Sequence, residues 1–335
     1  MVPGHCRSPV EWRFAMLTAP TLAFLVAWST LAVLPNTKFG RTVLDIPNER
    51  SLHTSLVPRI GGVGIAAGIS AAAMTITDID PVLGWAALGY VLLFIVSLVD
   101  DIWSLPVLVR LVAHLLAAVA WVWAIALPLI WTIPAVLAMV WMTNLFNFMD
   151  GADGLAGGMT VFGFGTLAAA ALSSGQLALA ALCLGVAASA LGFLVFNFPP
   201  ASIFMGDSGS IPIGFLAGAI GLYGAQYDVW PVLLPIFAFF PFVFDATYTL
   251  VARLVRAHKP WQAHREHIYQ RLVQSGLGHK RVAALAYACM ALCALCALVS
   301  PRLSLIGQSA LLAVMTLVSI GLATRISRIE PRQLR

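Results

Sequence analysis

Charge is what this sequence has least of. Asp, Glu, Lys and Arg make up 10% of its 335 residues, against about 25% in ordinary soluble domains. Hydrophobic residues make up 60%, and the mean hydropathy is +0.92. That balance excludes a soluble globular domain and points to an integral membrane protein. Strand-type alternation of polar and apolar residues is also missing, which argues against a β-barrel. Open sheet edges are not tolerated in lipid, so an all-α bundle is left. Cysteine is sparse. Cys6, Cys183, Cys289, Cys293 and Cys296 are the only five, and the group at 289–296 has no His or acidic companions. Packing explains it better than metal or redox work.

What is present is a series of long apolar runs. A helix crossing the hydrocarbon needs about 20 such residues. Eleven runs qualify as candidate spans, at 14–35, 60–77, 82–99, 107–123, 124–142, 159–173, 176–196, 211–224, 229–250, 283–299 and 303–323. Only Ala126-Leu127-Pro128 and Pro134 divide the pair at 107–142. The first run is too long for a signal-peptide core and lacks a small-residue cleavage site, so it reads as a retained anchor. The expectation is a single polytopic domain over residues 1–335, a bundle of about 10–11 transmembrane helices.

Lys and Arg mark cytoplasmic loops. With eleven spans, most of the 19 basic residues fall on one face, in the loops 36–59 and 251–281 and in the tail. The N-terminus is then outside and the C-terminus inside, although Arg7 and Arg13 stand against it. The same parity puts 100–106, 143–158 and 197–210 on the basic face, so five loops rich in polar residues meet on one side.

Those loops hold the chemistry. Asp100 and Asp101 end an apolar run in SLVDDIWSLP, where a charge needs a partner or a task. Adjacent helix positions point about 100° apart, so one carboxylate can face a site while the other orients a cation; capping of a helix end is the plain alternative. In NLFNFMDGADGLAGG, Asn144, Asn147 and Asp150 are spaced i, i+3, i+6 and share one side if the helix runs that far. Asp153 follows after Gly151. Oxygen ligands without His or Cys suit a hard cation, magnesium or manganese. In NFPPASIFMGDSGS, Asp207 sits between glycines just before a span. That is a carboxylate plus free N–H groups at a helix N-terminus, an end suited to phosphate or a metal–phosphate unit. KPWQAHREHIYQRL carries His264, Arg265, His267 and Arg271, suited to phosphate and sugar oxygens or to an anionic lipid surface. DIPNERSLHTSLVPRIGGVGI brings Arg50, His53 and Arg59 to a Gly61-Gly62 helix start. Asp245, inside an apolar run, needs a partner such as Arg253 or an arginine of another helix, and reads as structural, near the site.

Taken in this order, PNERSLH…PRIGG, VDD, NxxNFMDGADGLAGG, FMGDSGS and HREHIYQR resemble the polyprenyl-phosphate N-acetylhexosamine-1-phosphate transferases. The superfamily includes the phospho-MurNAc-pentapeptide transferases, and the sequence looks most like its bacterial branch that starts O-antigen or related surface-glycan synthesis. The resemblance covers about residues 41–275. It implies transfer of a sugar-1-phosphate from a UDP-N-acetylhexosamine to polyprenyl (undecaprenyl) phosphate, with release of UMP, at the bacterial cytoplasmic membrane.

The resemblance also implies roles. Asn147 and Asp207 would hold Mg²⁺ (or Mn²⁺), and Asp100, Asp101, Asp207 and His267 would form the catalytic set. Asn144, Asp150, Asp153, His264, Arg265, Arg50, His53 and Arg59 would bind substrate. No nucleic acid is expected among the partners; a homodimer is compatible with the sequence. Two positions depart from the family pattern. Ser104 stands where many relatives have a third Asp, and Tyr269-Gln270 stand where many have His-His. Two alternatives are carried forward: a phospho-MurNAc-pentapeptide transferase, and a transporter, which would place such residues near the bilayer midplane.

Overall fold

The computed structural model describes residues 9–45, 56–258 and 264–328. Arg50 and His53 lie outside the described residues. The helices are α1 (Pro9–Val33), α2 (Lys38–Thr42), α3 (Gly61–Ala73), α4 (Leu83–Trp103), α5 (Val107–Ala124), α6 (Leu129–Phe148), α7 (Leu155–Ser173), α8 (Leu177–Asn197), α9 (Asp207–Gln226), α10 (Leu234–Ala238), α11 (Phe240–Val255), α12 (Ile268–Leu272), α13 (Gly278–Val299) and α14 (Leu305–Ile326). The strands β1 (Leu44–Asp45) and β2 (Val57–Pro58) form a single antiparallel pair.

Among the described residues, nine helices are long and apolar enough to cross a membrane. Two expected spans fall short of that. The run at 60–77 yields only the 13 residues of α3. The run at 229–250 is cut into α10 and α11, because Pro235 and Pro241 each lack the N–H that would continue a helix through them. Between α5 and α6 the break falls at Ala126, which has a positive φ of 50°, while α6 runs on through Pro134.

The centre of the bundle is α9. Its apolar window is 83% buried, against 6% for the peripheral α14, and it packs between α4 and α6 with α3 against its start. A helix with lipid on no side can carry polar residues, which is why the GDSGS segment opens it. The start is also where backbones meet most closely. A Cβ on Gly62 would collide with the backbone of Ser208 and Gly209. The N–H groups of Gly61 and Gly62 donate to the carbonyls of Phe204 and Met205, at 2.9 and 2.8 Å. The segment entering α3 is thus stitched to the segment entering α9.

Candidate active site

The two aspartates that close α4 are both buried, and they do point to different tasks. Asp101 turns to α9, accepting the Asp207 N–H on Oδ1 (3.1 Å) and the Ser208 N–H on Oδ2 (2.9 Å). A carboxylate at a helix N-terminus satisfies orphan donors and faces the positive end of the helix dipole. Of the free N–H groups expected at this helix N-terminus, those of Asp207 and Ser208 are therefore not free; the protein supplies its own anion there. Gly206 makes the approach feasible: it has φ +75°, and a Cβ would lie 2.9 Å from Asp101 Oδ2.

Asp100 turns the other way. Its Oδ2 takes a 2.9 Å ion pair from Arg110 Nη1, and its Oδ1 accepts the Leu105 N–H. That turn is possible because Ser104 adopts a left-handed φ of 52°. The same Nη1 stands 3.6 Å from Asp207 Oδ2, so Arg110 bridges the two carboxylates. On the other side of Asp207, Asn147 Nδ2 donates to Oδ1 at 2.8 Å and to Ser210 Oγ at 3.2 Å.

These groups border a cavity of about 560 Å³. Arg110, His114, Asn144, Asn147, Asp150, His264, His267, Tyr269 and Gln270 line it, together with Val107, Leu111, Ile211 and Leu250. Val107 and Leu111 are also exposed on the outer face of α5, so the cavity reaches the flank of the bundle. Asp100 and Asp207 stand behind its wall, each in contact with Arg110. Asn144 Nδ2 donates to Val140 O (2.7 Å) and lies 3.4 Å from His114 Nδ1. Asp150 falls just beyond the end of α6, so the shared helix face holds for Asn144 and Asn147 but stops before Asp150. Burial, and then the carboxylates of Asp207, Asp101 and Asp45, push the Asp150 carboxyl well above its usual range. Negative charge is in excess around it.

The 264–272 segment closes the cavity from α11. His267 caps α12, with Gln270 Oε1 accepting its N–H at 3.2 Å. Tyr269 Oη donates to Phe148 O at 3.0 Å, and the Phe148 ring lies 6.4 Å from that of His267. Tyr269 and Gln270 thus have structural tasks of their own. Burial, and then the charges of His267 and Arg253, lower His264 to about 4. Its Nδ1 accepts the Glu266 N–H at 3.3 Å, which requires that nitrogen to be unprotonated. Asp245 finds partners other than Arg253: it takes the N–H groups opening α12, while Arg253 pairs with Glu266.

Three expected substrate residues lie off the cavity wall. Asp153 is engaged by His279 Nδ1 (3.2 Å) and the Ala201 N–H (3.0 Å), so it ties three loops together. Arg59 donates to the Asp101 carbonyl at 3.2 Å and faces Asp45 at 3.8 Å. Arg265 is beside His264 in the chain but does not line the cavity. Conversely, Arg110 and His114 do line it, although neither was among the expected site residues. The available signal was their i, i+4 spacing on one face of α5, shortly after the aspartate pair.

For a metal ion, the described residues contain no group of three or more His, Cys, Asp or Glu side chains arranged as a cage. The donors at hand are the oxygens of Asp207, Asp150 and Asn147, a hard set with surplus negative charge.

Residues 83–225, from α4 to α9, match the profile described as glycosyl transferase family 4. The probable undecaprenyl-phosphate N-acetylglucosaminyl 1-phosphate transferase of Bacillus subtilis is 31% identical over 287 residues, covering 77% of this chain and 78% of its own. The undecaprenyl-phosphate alpha-N-acetylglucosaminyl 1-phosphate transferase of Yersinia pestis is 26% identical over 325 residues, 90% of this chain and 89% of its own. A phospho-N-acetylmuramoyl-pentapeptide-transferase of Moorella thermoacetica is 31% identical over 252 residues, 65% of this chain and 77% of its own. The matched region carries Asp100, Arg110, Asn147 and Asp207 together, and with these relatives the chain belongs to glycosyl transferase family 4, as a polyprenyl-phosphate N-acetylhexosamine-1-phosphate transferase.

Proposed function

We propose that the protein moves N-acetylglucosamine 1-phosphate from UDP-N-acetylglucosamine to undecaprenyl phosphate, releasing UMP, as a first step in surface-glycan synthesis at the bacterial cytoplasmic membrane. The reaction class and the membrane setting come with the family. The sugar and lipid follow the names of the Bacillus and Yersinia relatives. The observation that carries the reading is the mixed wall of the cavity. Cationic and oxygen-bearing groups (Arg110, Asn147, Asp150, His267) share it with Val107 and Leu111, which also face the flank of the bundle. A soluble diphosphate and a lipid phosphate can meet there.

Phosphoryl transfer is mostly positioning and charge neutralisation. A phosphate monoester has its second pKa near 6, so the acceptor is largely dianionic at neutral pH and attacks the β-phosphorus without needing a strong base. Asp100, with both oxygens engaged, holds Arg110 toward the phosphates rather than removing a proton. The donor set fits Mg²⁺: such an ion takes few protein oxygens and keeps its remaining positions for water and substrate phosphate. Asn147, Asp150 and Asp207 would hold it, and it would neutralise diphosphate charge. The rival course, an aspartyl-phosphate intermediate, predicts exchange of UMP with the UDP-sugar in the absence of lipid.

The basic loops support a site on the cytoplasmic side, with the N-terminus outside. A second reading, transfer of phospho-MurNAc-pentapeptide, rests on the Moorella relative, but that match stops at 65% of the chain where the Yersinia match reaches 90%. Purified protein offered UDP-N-acetylglucosamine, UDP-N-acetylgalactosamine and UDP-MurNAc-pentapeptide separately, with undecaprenyl phosphate, tests the choice. UMP release from the first is expected; release from the pentapeptide donor alone would transfer the assignment to the second reading.

A further inference from the structure

One buried acid remains unused by that mechanism. Asp245 sits on α11, 5% exposed, and four donors converge on its carboxylate. Oδ1 accepts Thr249 Oγ1–H (3.1 Å) and the Ile268 N–H (3.0 Å), and Oδ2 accepts the Tyr269 N–H (3.2 Å). The fourth is the His267 ring, whose Nδ1 is 3.2 Å from Oδ1. A carboxylate that already receives three N–H or O–H bonds is an acceptor, so the ring must present Nδ1–H to it. Which nitrogen carries the proton is thereby set by the partner. Nε2 is the ring nitrogen left for the cavity that His267 lines. The ring cannot easily turn away, because it lies among Tyr269 (5.8 Å between centroids), Phe148 (6.4 Å) and His264 (5.0 Å).

We propose that Asp245 is a positioning residue of the transferase site: through Nδ1 of His267 it fixes the imidazole so that the bare Nε2 accepts a hydrogen bond from a hydroxyl of the bound sugar. The assignment rests on the transferase reading above. It differs from a purely structural role, in which Asp245 serves only to start α12. A carboxylate behind a ring nitrogen orients the imidazole and makes the other nitrogen a better acceptor; behind metal-binding histidines, removing such a group commonly costs about 10- to 100-fold, and the same scale is expected here.

The test is a double-mutant cycle on UMP release with Asp245→Asn, His267→Ala and the pair. Asp245→Asn alone is expected to lower kcat by about 10- to 100-fold. In the His267→Ala background the same change is expected to cost less than about threefold, because residues acting as one unit are not additive. Equal losses in both backgrounds would mean that Asp245 does not act through the ring. A second readout needs neither activity nor a folded variant of Asp245. Protein labelled with ¹⁵N-histidine is recorded at alkaline pH, with the His267 signals identified by their loss in His267→Gln. A protonated Nδ1 and bare Nε2 are expected, and the reverse tautomer overturns the proposal. If the wild type releases no UMP from any donor, the transferase reading fails, while the tautomer still decides the Asp245–His267 pairing.

Discussion

At the residue scale the site turns on Arg110. It faces Asp100, whose side chain is only 7% exposed, and reaches Asp207 as well. Arg110 is partly exposed, so removing it leaves the buried Asp100 carboxylate with the Leu105 N–H as its remaining partner, at a cost of about 1–3 kcal/mol. Arg110→Ala is therefore expected to abolish measurable UMP release and to lower the melting temperature in detergent. Arg110→Lys keeps a point charge but loses the planar fork, so it should retain stability better than activity. If Arg110→Ala turned over at the wild-type rate, the bridge would have no part in the reaction.

His264 gives a prediction about pH. Its folded value is lowered to about 4, against about 6.5 in an unfolded chain. The neutral ring is the form the fold prefers. Its contribution to stability is fully present above the unfolded value and is lost as pH falls through the folded one, in a window of about 4–6.5. Melting temperatures of wild type and His264→Gln should therefore converge as pH falls across that window. Parallel curves would remove His264 from the account.

At the element scale, the decisive feature is that α4 caps α9. Asp101→Asn keeps one acceptor but loses the charge and one of the two N–H bonds. Caps of this kind are worth about 0.5–2 kcal/mol, so a measurable drop in melting temperature is expected. Activity should fall too, because Asp207 belongs to the same first turn. Asp207→Ala separates the two effects: it should lose activity without a comparable loss of stability, since it removes one of several crowded carboxylates. Thermal unfolding alongside UMP release distinguishes the pair, and equal destabilisation by both would contradict this division of labour.

The same helices show what the sequence could and could not convey. Long apolar runs and the prolines between them are local signals, so the spans and the break before α6 were legible. The fate of the 229–250 run was not, because hydropathy reports composition, while Pro235 and Pro241 decide where a helix stops; the 60–77 run is equally apolar, yet its helix ends at Ala73. The task of Asp101 was also hidden. Its partners lie more than a hundred positions along the chain, and nothing local distinguishes a cap on a distant helix from a catalytic acid. Asp245 is similar: Arg253 was the nearest cation in sequence, yet the donors that reach it are the Thr249 hydroxyl, two backbone N–H groups and the His267 ring.

At the scale of the whole molecule, the residues of the polar loops divide in two. Asn144, Asn147, Asp150, His264 and His267 line the cavity itself. Asp153 and Arg59 hold the loops together behind it. Chemistry-bearing residue types were readable from sequence; which of them face the ligand was not, because that depends on how α4, α5, α6 and α9 pack. The proposed hard-cation site depends on the same packing. UMP release should therefore stop on chelation and return with Mg²⁺, whereas activity unaffected by chelator would remove the ion from the mechanism.

The most direct test of the central claim is UMP release by purified, detergent-solubilised protein given UDP-N-acetylglucosamine and Mg²⁺, with and without undecaprenyl phosphate. Release that requires the lipid, and is lost in Asp207→Ala that still melts like wild type, is the predicted result. Protein that is folded and binds the UDP-sugar, yet releases no UMP when the lipid is present, would contradict it.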